Sequence, residues 1–337
     1  MGDLLDPAGA TSSALAGWKP RRGFRECTVS LVQPLPERPT DQHFLPHRDH
    51  SRLFDQNLYI YPVLSRRSRG ISVGINLNPD KVCNFDCVYC QVDRRRGQPR
   101  LRGRPQVTDV DEEQLLRELE ETLELVLSGR LYLDQRFASV PDPLRRLNDI
   151  AFSGDGEPTT YPGFAPIVRD VAACKKRRGL DGVKLVLITN ATMLHRPHVR
   201  EALATLDAGN GEIWAKLDAG TEAYYRTIDR TKIPLKRVLA NILDAARVRP
   251  VVIQSLLLCL NGQGPSELEV AAYCRRLGEI VAAGGQIARV QLYTVARTPA
   301  VAEVGPLPNE ELERLGEIIR RRVGITVDIY NAAMAVP

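Results

Sequence analysis

The sequence predicts an α/β protein whose strands form a mostly parallel sheet. Six short apolar runs rich in β-branched residues alternate with segments of helical periodicity. The runs are continuously apolar, as strands covered on both faces are. The length, 337 residues, exceeds one average domain but suits a barrel of the α/β type. Right-handed βα units in series make either a barrel or an open doubly wound sheet, and periodicity does not choose between them.

Residues 1–68 are rich in Pro and Arg, with only short apolar pieces such as Cys27–Val32 and Leu58–Leu64. They are expected to form an irregular extension wrapped on a core domain of residues 69–330, with 331–337 as a tail. The first strand is ISVGINL from Ile71. The segment from Thr108 is a helix, because Leu115, Leu119, Leu123 and Val126 recur at helical spacing, acids fill its first turn and Gly129 stops it. Strands follow from Asp149 (DIAFSG), Val183 (VKLVLIT), Glu212 (EIWAKL), Val251 (VVIQSLLL) and Ala288 (ARVQLYTV). Helices are expected over about 164–178, near His198, and over 234–247, 266–283 and 309–322. ITVDIY from Ile325 is a short closing strand.

The polar residues gather just past each strand: the cysteine loop CNFDCVYC, then SGDGEPT, TNAT, KLDAGT, CLNGQG, and Gln291, Tyr293 and Arg297. Ligands bind at the carboxyl ends of parallel strands, so one composite site would collect them all. Alternation leaves open whether Gln254, Gln291 and Tyr293 face a barrel lumen or the helices.

Composition narrows the class. The chain is 43% hydrophobic and 26% charged, with a net charge of +5, as in an ordinary soluble globular protein. The amino terminus has neither the cationic start nor the apolar stretch of a signal peptide, and no run is long enough to span a membrane. A cytoplasmic protein without membrane attachment is expected. Seven cysteines, with three inside eight positions, point to a metal site in a reducing compartment rather than a disulfide framework. Cys174, Cys259 and Cys274 read as small buried hydrophobes. The histidines of HFLPHRDH read as a polar loop, and the arginines between Arg94 and Arg104 as a solvated run that could attract phosphate or nucleic acid. Cys83, Cys87 and Cys90 are thiolate ligands of either zinc or an iron–sulfur cluster. Three protein ligands leave one metal position open, as a catalytic metal requires.

This spacing, C-x3-C-x2-C with Tyr89 before the last cysteine, resembles the radical S-adenosylmethionine (SAM) enzymes. The resemblance implies a partial (β/α)6 TIM-like barrel. It also implies a [4Fe-4S] cluster on Cys83, Cys87 and Cys90, with SAM chelating the fourth iron. Reductive cleavage of SAM would give a 5′-deoxyadenosyl radical that abstracts hydrogen from an unknown substrate. A one-electron donor such as flavodoxin or ferredoxin is implied. Gly154, Gly156, Glu157 and Pro158 match the family's stretch that holds the SAM amino group, although Asp155 stands between the glycines. Thr189 and Asn190 match a strand end facing the SAM methionine or ribose. Lys216 and Asp218 match polar ribose and carboxylate contacts, and Tyr89 would lie against adenine. Within the superfamily, the stretch from Ile71 to Leu315 resembles the oxidoreductase group that includes wyosine-synthesis tRNA-modifying enzymes, so tRNA is a possible substrate. No later cysteine cluster suggests an auxiliary centre. The competing reading is a non-catalytic binding module stabilised by zinc.

Overall fold

The computed structural model describes residues 54–92, 110–296, 299 and 301–331. The chain starts with an antiparallel hairpin, β1 (Ile60–Ser65) and β2 (Gly70–Ile75). Then follow α1 (Glu112–Leu127), β3 (Leu147–Phe152), α2 (Phe164–Arg177), β4 (Lys184–Thr189), α3 (Pro197–Ala208) and β5 (Gly211–Lys216). The second half holds α4 (Glu222–Asp229), α5 (Leu235–Val248), β6 (Val251–Leu256), β7 (Leu258–Leu260), α6 (Glu267–Ala282) and β8 (Ile287–Tyr293). It closes with β9 (Val304–Pro306), α7 (Asn309–Val323) and β10 (Val327–Tyr330).

The main sheet has eight strands in the order β1-β2-β3-β4-β5-β6-β8-β10, and every pairing after the first is parallel. Its six central strands are those read from the sequence, and the fold is a partial TIM-like barrel. Leu58–Leu64, expected in an irregular extension, instead supplies the edge strand β1. VVIQSLLL divides into β6 and the start of β7, which pairs with β9 in a separate ribbon. Among the described residues, no helix is long and apolar enough to cross a membrane.

Local chemistry sets the helix ends. The Asp111 carboxylate accepts from the Gln114 amide at 2.9 Å, Glu112 and Glu113 follow in the first turn, and Leu115, Leu119, Leu123 and Val126 are buried. That combination satisfies an orphan amide, favours the helix dipole and supplies an apolar stripe. Ser266 and Thr221 cap α6 and α4 in the same way.

Two apolar layers flank the sheet. The larger joins the helices to one face through residues such as Leu185, Leu187, Ile213 and Ile253. On the other face Ala151, Val186, Trp214 and Val252 form a separate cluster with Ile188. Side chains alternate along a strand, so this second cluster marks the lumen. Gln254, Gln291 and Tyr293 lie on the lumen face with it, since Gln254 follows Val252 by two positions and pairs in register with Gln291. Cys174 and Cys274 are buried as expected. Cys259 is also buried, but it is disulfide-bonded.

Candidate active site

Because β2, β3, β4, β5, β6 and β8 run parallel, their carboxyl ends lie at one end of the barrel, and the cysteine loop and the polar residues after β3, β4 and β5 meet there; Arg297 lies outside the described residues. The cysteine loop follows β2. Phe85 and Val88 are buried and anchor it. Its backbone pairs with the end of α4: the Asp86 amide donates to the Asp229 carbonyl at 3.2 Å, and the Val88 amide to the Ile228 carbonyl at 2.8 Å. Thr231 donates its hydroxyl to the Asn84 carbonyl at 3.0 Å. Cys83, Cys87 and Cys90 are left half-buried between these anchors, none in a disulfide.

The loop after β3 is fitted against the cysteine loop. A Cβ on Gly156 would run into the Val82 carbonyl and Asn78, and one on Gly154 into Asn76. Only glycine permits this approach. Asp155, the departure from the resembled pattern, has a local role. Its carboxylate accepts from Asn76 Nδ2 at 3.0 Å while its amide donates to Asn76 Oδ1 at 3.1 Å. Pro158 begins a short 3-10 turn over Pro158–Thr160.

Glu157 is 2% exposed. Its carboxylate accepts from the Thr159 amide and hydroxyl, from the Thr189 hydroxyl at 2.6 Å and from the Asn190 amide at 2.7 Å. These donors occupy the roughly four acceptor positions of a carboxylate. Burial still raises its pKa, against the lowering by Thr159, Thr189 and Asn190. Asn190 donates in turn to Asn84 Oδ1 at 2.6 Å, and Asn84 donates to Thr192 Oγ1 at 2.7 Å. Glu157, Thr189 and Asn190 thus belong to one network tying the ends of β3 and β4 to the cysteine loop.

Lys216, Asp218 and Tyr89 form a second cluster. The Tyr89 hydroxyl donates to Asp218 Oδ2 at 2.5 Å. Lys216 Nζ lies 3.2 Å from the same oxygen, donates to the Tyr293 hydroxyl at 3.0 Å and sits 5.0 Å from the Tyr89 ring centroid. Asp218 Oδ1 accepts from the Leu256 amide at 2.7 Å, which ties the end of β5 to β6. Burial alone would lower the Lys216 pKa; Asp218 and Tyr293 outweigh it and keep the ammonium charged.

Asp229, at the end of α4, completes the cluster and was not singled out from the sequence. Its carboxylate accepts from Cys87 Sγ at 3.4 Å and from the Tyr89 hydroxyl at 3.5 Å. Burial and the nearby Asp218 charge raise its pKa strongly. Burial and Asp229 likewise raise the Cys87 thiol. Only the sequence IDR after two tyrosines marked α4, and eight residues give too little periodicity to read.

Among the described residues, no three Cys, His, Asp or Glu side chains converge on one point as ligands of a single ion. A cluster does not need that convergence, because each thiolate takes its own iron. Three reduced thiols on one anchored loop, beside a glycine cradle, are a donor set that fits such a group. The histidines of HFLPHRDH and the arginines 94–104 lie outside the described residues.

The family model of the radical SAM superfamily matches residues 77–274, more than half of the chain. The chain belongs to the radical SAM superfamily. It is an enzyme of that class, and the match spans the cysteine loop and the strand ends through β6. Among curated relatives, the chain is 24% identical over 277 residues to "GTPase Obg" of Brachyspira hyodysenteriae, covering 81% of this chain but 35% of that protein. It is 25% identical over 253 residues to a UPF0026 protein of Helicobacter pylori, covering 74% of this chain and 70% of the relative. A UPF0026 protein of Methanocaldococcus jannaschii is 30% identical over 190 residues, 54% of this chain and 46% of its own. The radical SAM chain thus spans about a third of the first relative. Solved structures include archaeal TYW1 (14% identity, TM-score 0.43, 76% and 72% of the two chains) and a spore photoproduct lyase variant (10%, 0.49, 82% and 79%). Likenesses at this level carry no argument about activity.

Proposed function

We propose that this enzyme binds one [4Fe-4S] cluster through Cys83, Cys87 and Cys90 and reductively cleaves SAM beside it. The observation that carries the proposal is the anchored loop. Its buried residues are fixed by α4, its three thiols remain half-buried, and Gly154 and Gly156 let the next strand end lie against it. When bound, cluster and SAM together would supply a 5′-deoxyadenosyl radical for hydrogen abstraction, with an electron from a flavodoxin- or ferredoxin-like donor.

The chain's own residues have distinct tasks. The glycines leave room at the β3 end. Glu157 orders Thr189 and Asn190, and contact with a SAM ammonium would share or replace one of its present hydrogen bonds. Lys216, Asp218 and Tyr89 present a charged, hydrogen-bonded wall to the ribose and adenine side. No general acid or base is assigned.

Anaerobic reconstitution tests this. About four irons per chain and formation of 5′-deoxyadenosine from SAM and dithionite are expected, and Cys→Ala changes at 83, 87 or 90 should abolish both. Intact protein that yields neither would overturn the proposal. Zinc in a colourless protein would select the binding module, which the family match already disfavours. A tRNA substrate is a narrower reading supported by the arginine run between Arg94 and Arg104. It requires tRNA binding that weakens steeply with salt, and absence of binding at low salt would end it.

A further inference from the structure

The lumen contains a cation that the site above does not use. The turn between β1 and β2 carries Arg66 and Arg67. Arg66 Nη1 donates to the Asn331 carbonyl at 2.8 Å, drawing the turn across to the segment after β10. Arg67 enters the lumen: its guanidinium carbon is 5.8 Å from the Trp214 ring centroid and 5.1 Å from that of Tyr293. Both rings lie on the lumen face. Aromatic faces hold a guanidinium by cation–π attraction and leave its in-plane N–H groups free to donate.

The other lumen cations are paired. Lys184 binds Glu212. Arg289 lies 2.9 Å from Glu212 and 3.5 Å from Asp328, and Lys216 is 3.2 Å from Asp218. Arg67 makes no ion pair and no hydrogen bond among the described residues. A second observation lies on the same face. Gln254 and Gln291, 1% and 0% exposed, share one hydrogen bond of 2.8 Å. The remaining carbonyl of Gln254 and the remaining amide nitrogen of Gln291 are buried without a partner. Unpaired polar atoms are costly in such a place. A ligand offering an oxyanion to Arg67 and amide-type hydrogen bonds to the glutamines would satisfy both.

We propose that Arg67 binds a carboxylate or phosphate group of the substrate inside the lumen. This rests on the radical SAM reading of the strand ends, because it names the class of molecule presented to them. A guanidinium is suited to either oxyanion, which it engages through two parallel N–H groups. The simpler alternative makes Arg67 a distant counter-charge for Asp149, whose Oδ2 is buried without a hydrogen bond. That alternative asks for no ligand.

Fluorescence separates the two. The chain has two tryptophans, Trp18 and Trp214. In the full-length chain carrying Trp18→Phe, Trp214 reports events beside Arg67. We would titrate benzoate, phenyl phosphate and neutral benzamide. A saturable change with at least one anion and not with benzamide is expected, and the better anion identifies the oxyanion. Arg67→Met should weaken it by about tenfold or more, the scale of a charge-assisted hydrogen bond. Arg67→Lys, which keeps the charge, should retain part of the affinity, and Asp149→Asn should leave it equal or tighter. The proposal is overturned if no anion gives a saturable change, if benzamide binds as well, or if Arg67→Met binds like the parent. A loss in Asp149→Asn equal to that in Arg67→Met would also overturn it. The titration needs no cluster, so it can succeed where reconstitution fails, and the reverse outcome is equally readable.

Discussion

Asp149 shows how one residue can couple the fold to pH. It is 2% exposed, its Oδ1 accepts from the Ser72 hydroxyl, and its Oδ2 has no hydrogen bond. Burial raises its pKa, while the Ser72 and Ser68 hydroxyls and, after them, the Arg67 charge pull it down without cancelling the rise. The folded state therefore holds the proton more tightly than the unfolded chain does. Stability from this group is full below the unfolded value, about pH 4, and falls as pH climbs through the folded value. Asp149→Asn is expected to remove this dependence. Urea unfolding should show the variant gaining on the parent as pH rises above about 4; a difference that stays constant with pH would refute the assignment. Glu157 carries the opposite lesson. Its motif singled it out in the sequence, but its four protein donors are visible only once β3 and β4 lie side by side.

At the scale of elements, two helices reach out with buried glutamates to hold neighbouring backbone. Glu118 of α1 accepts from the amides of Leu58, Tyr59 and Ile60 at 2.9, 2.8 and 3.2 Å. Glu269 of α6 accepts from the Gly220 amide and, at 2.5 Å, from the Thr221 hydroxyl, fixing the start of α4. Glu118→Ala would orphan amides at the start of β1 and is expected to cost about 2–4 kcal/mol. Glu121→Ala, on the exposed face of the same helix, should cost less than about 0.5 kcal/mol. Equal losses in chemical unfolding would show that Glu118 is no special anchor. Periodicity located α1 well, because its apolar stripe repeats over four turns. It could not say which polar residue on the border of that stripe turns inward. α4 escaped for a related reason: its packing partner is the cysteine loop, and no apolar stripe announces that contact.

For the whole molecule, the six central strands and the end of the barrel that bears the site were legible in the sequence. Both follow from local signals: continuous apolar runs, and polar residues placed just beyond them. The barrel itself came from the cysteine motif and not from periodicity. What stayed hidden depends on distant partners, including the pairing of β1 with β2, the ribbon of β7 and β9, the orientation of Gln254 and Gln291, and the path of Arg67. None of these leaves a mark in its own neighbourhood of the chain.

The Arg66–Asn331 hydrogen bond joins residues 265 positions apart. A ribosome delivers the first hairpin long before the final strand. During synthesis β1 and β2 can pair with each other and then with β3, but the turn between them has nothing to fasten to until residue 331 emerges. This contact between the two edges of the sheet can therefore form only after both edge strands have been made. Contacts of such long separation also slow folding, so this link between the edges should trail the assembly of the sheet between them.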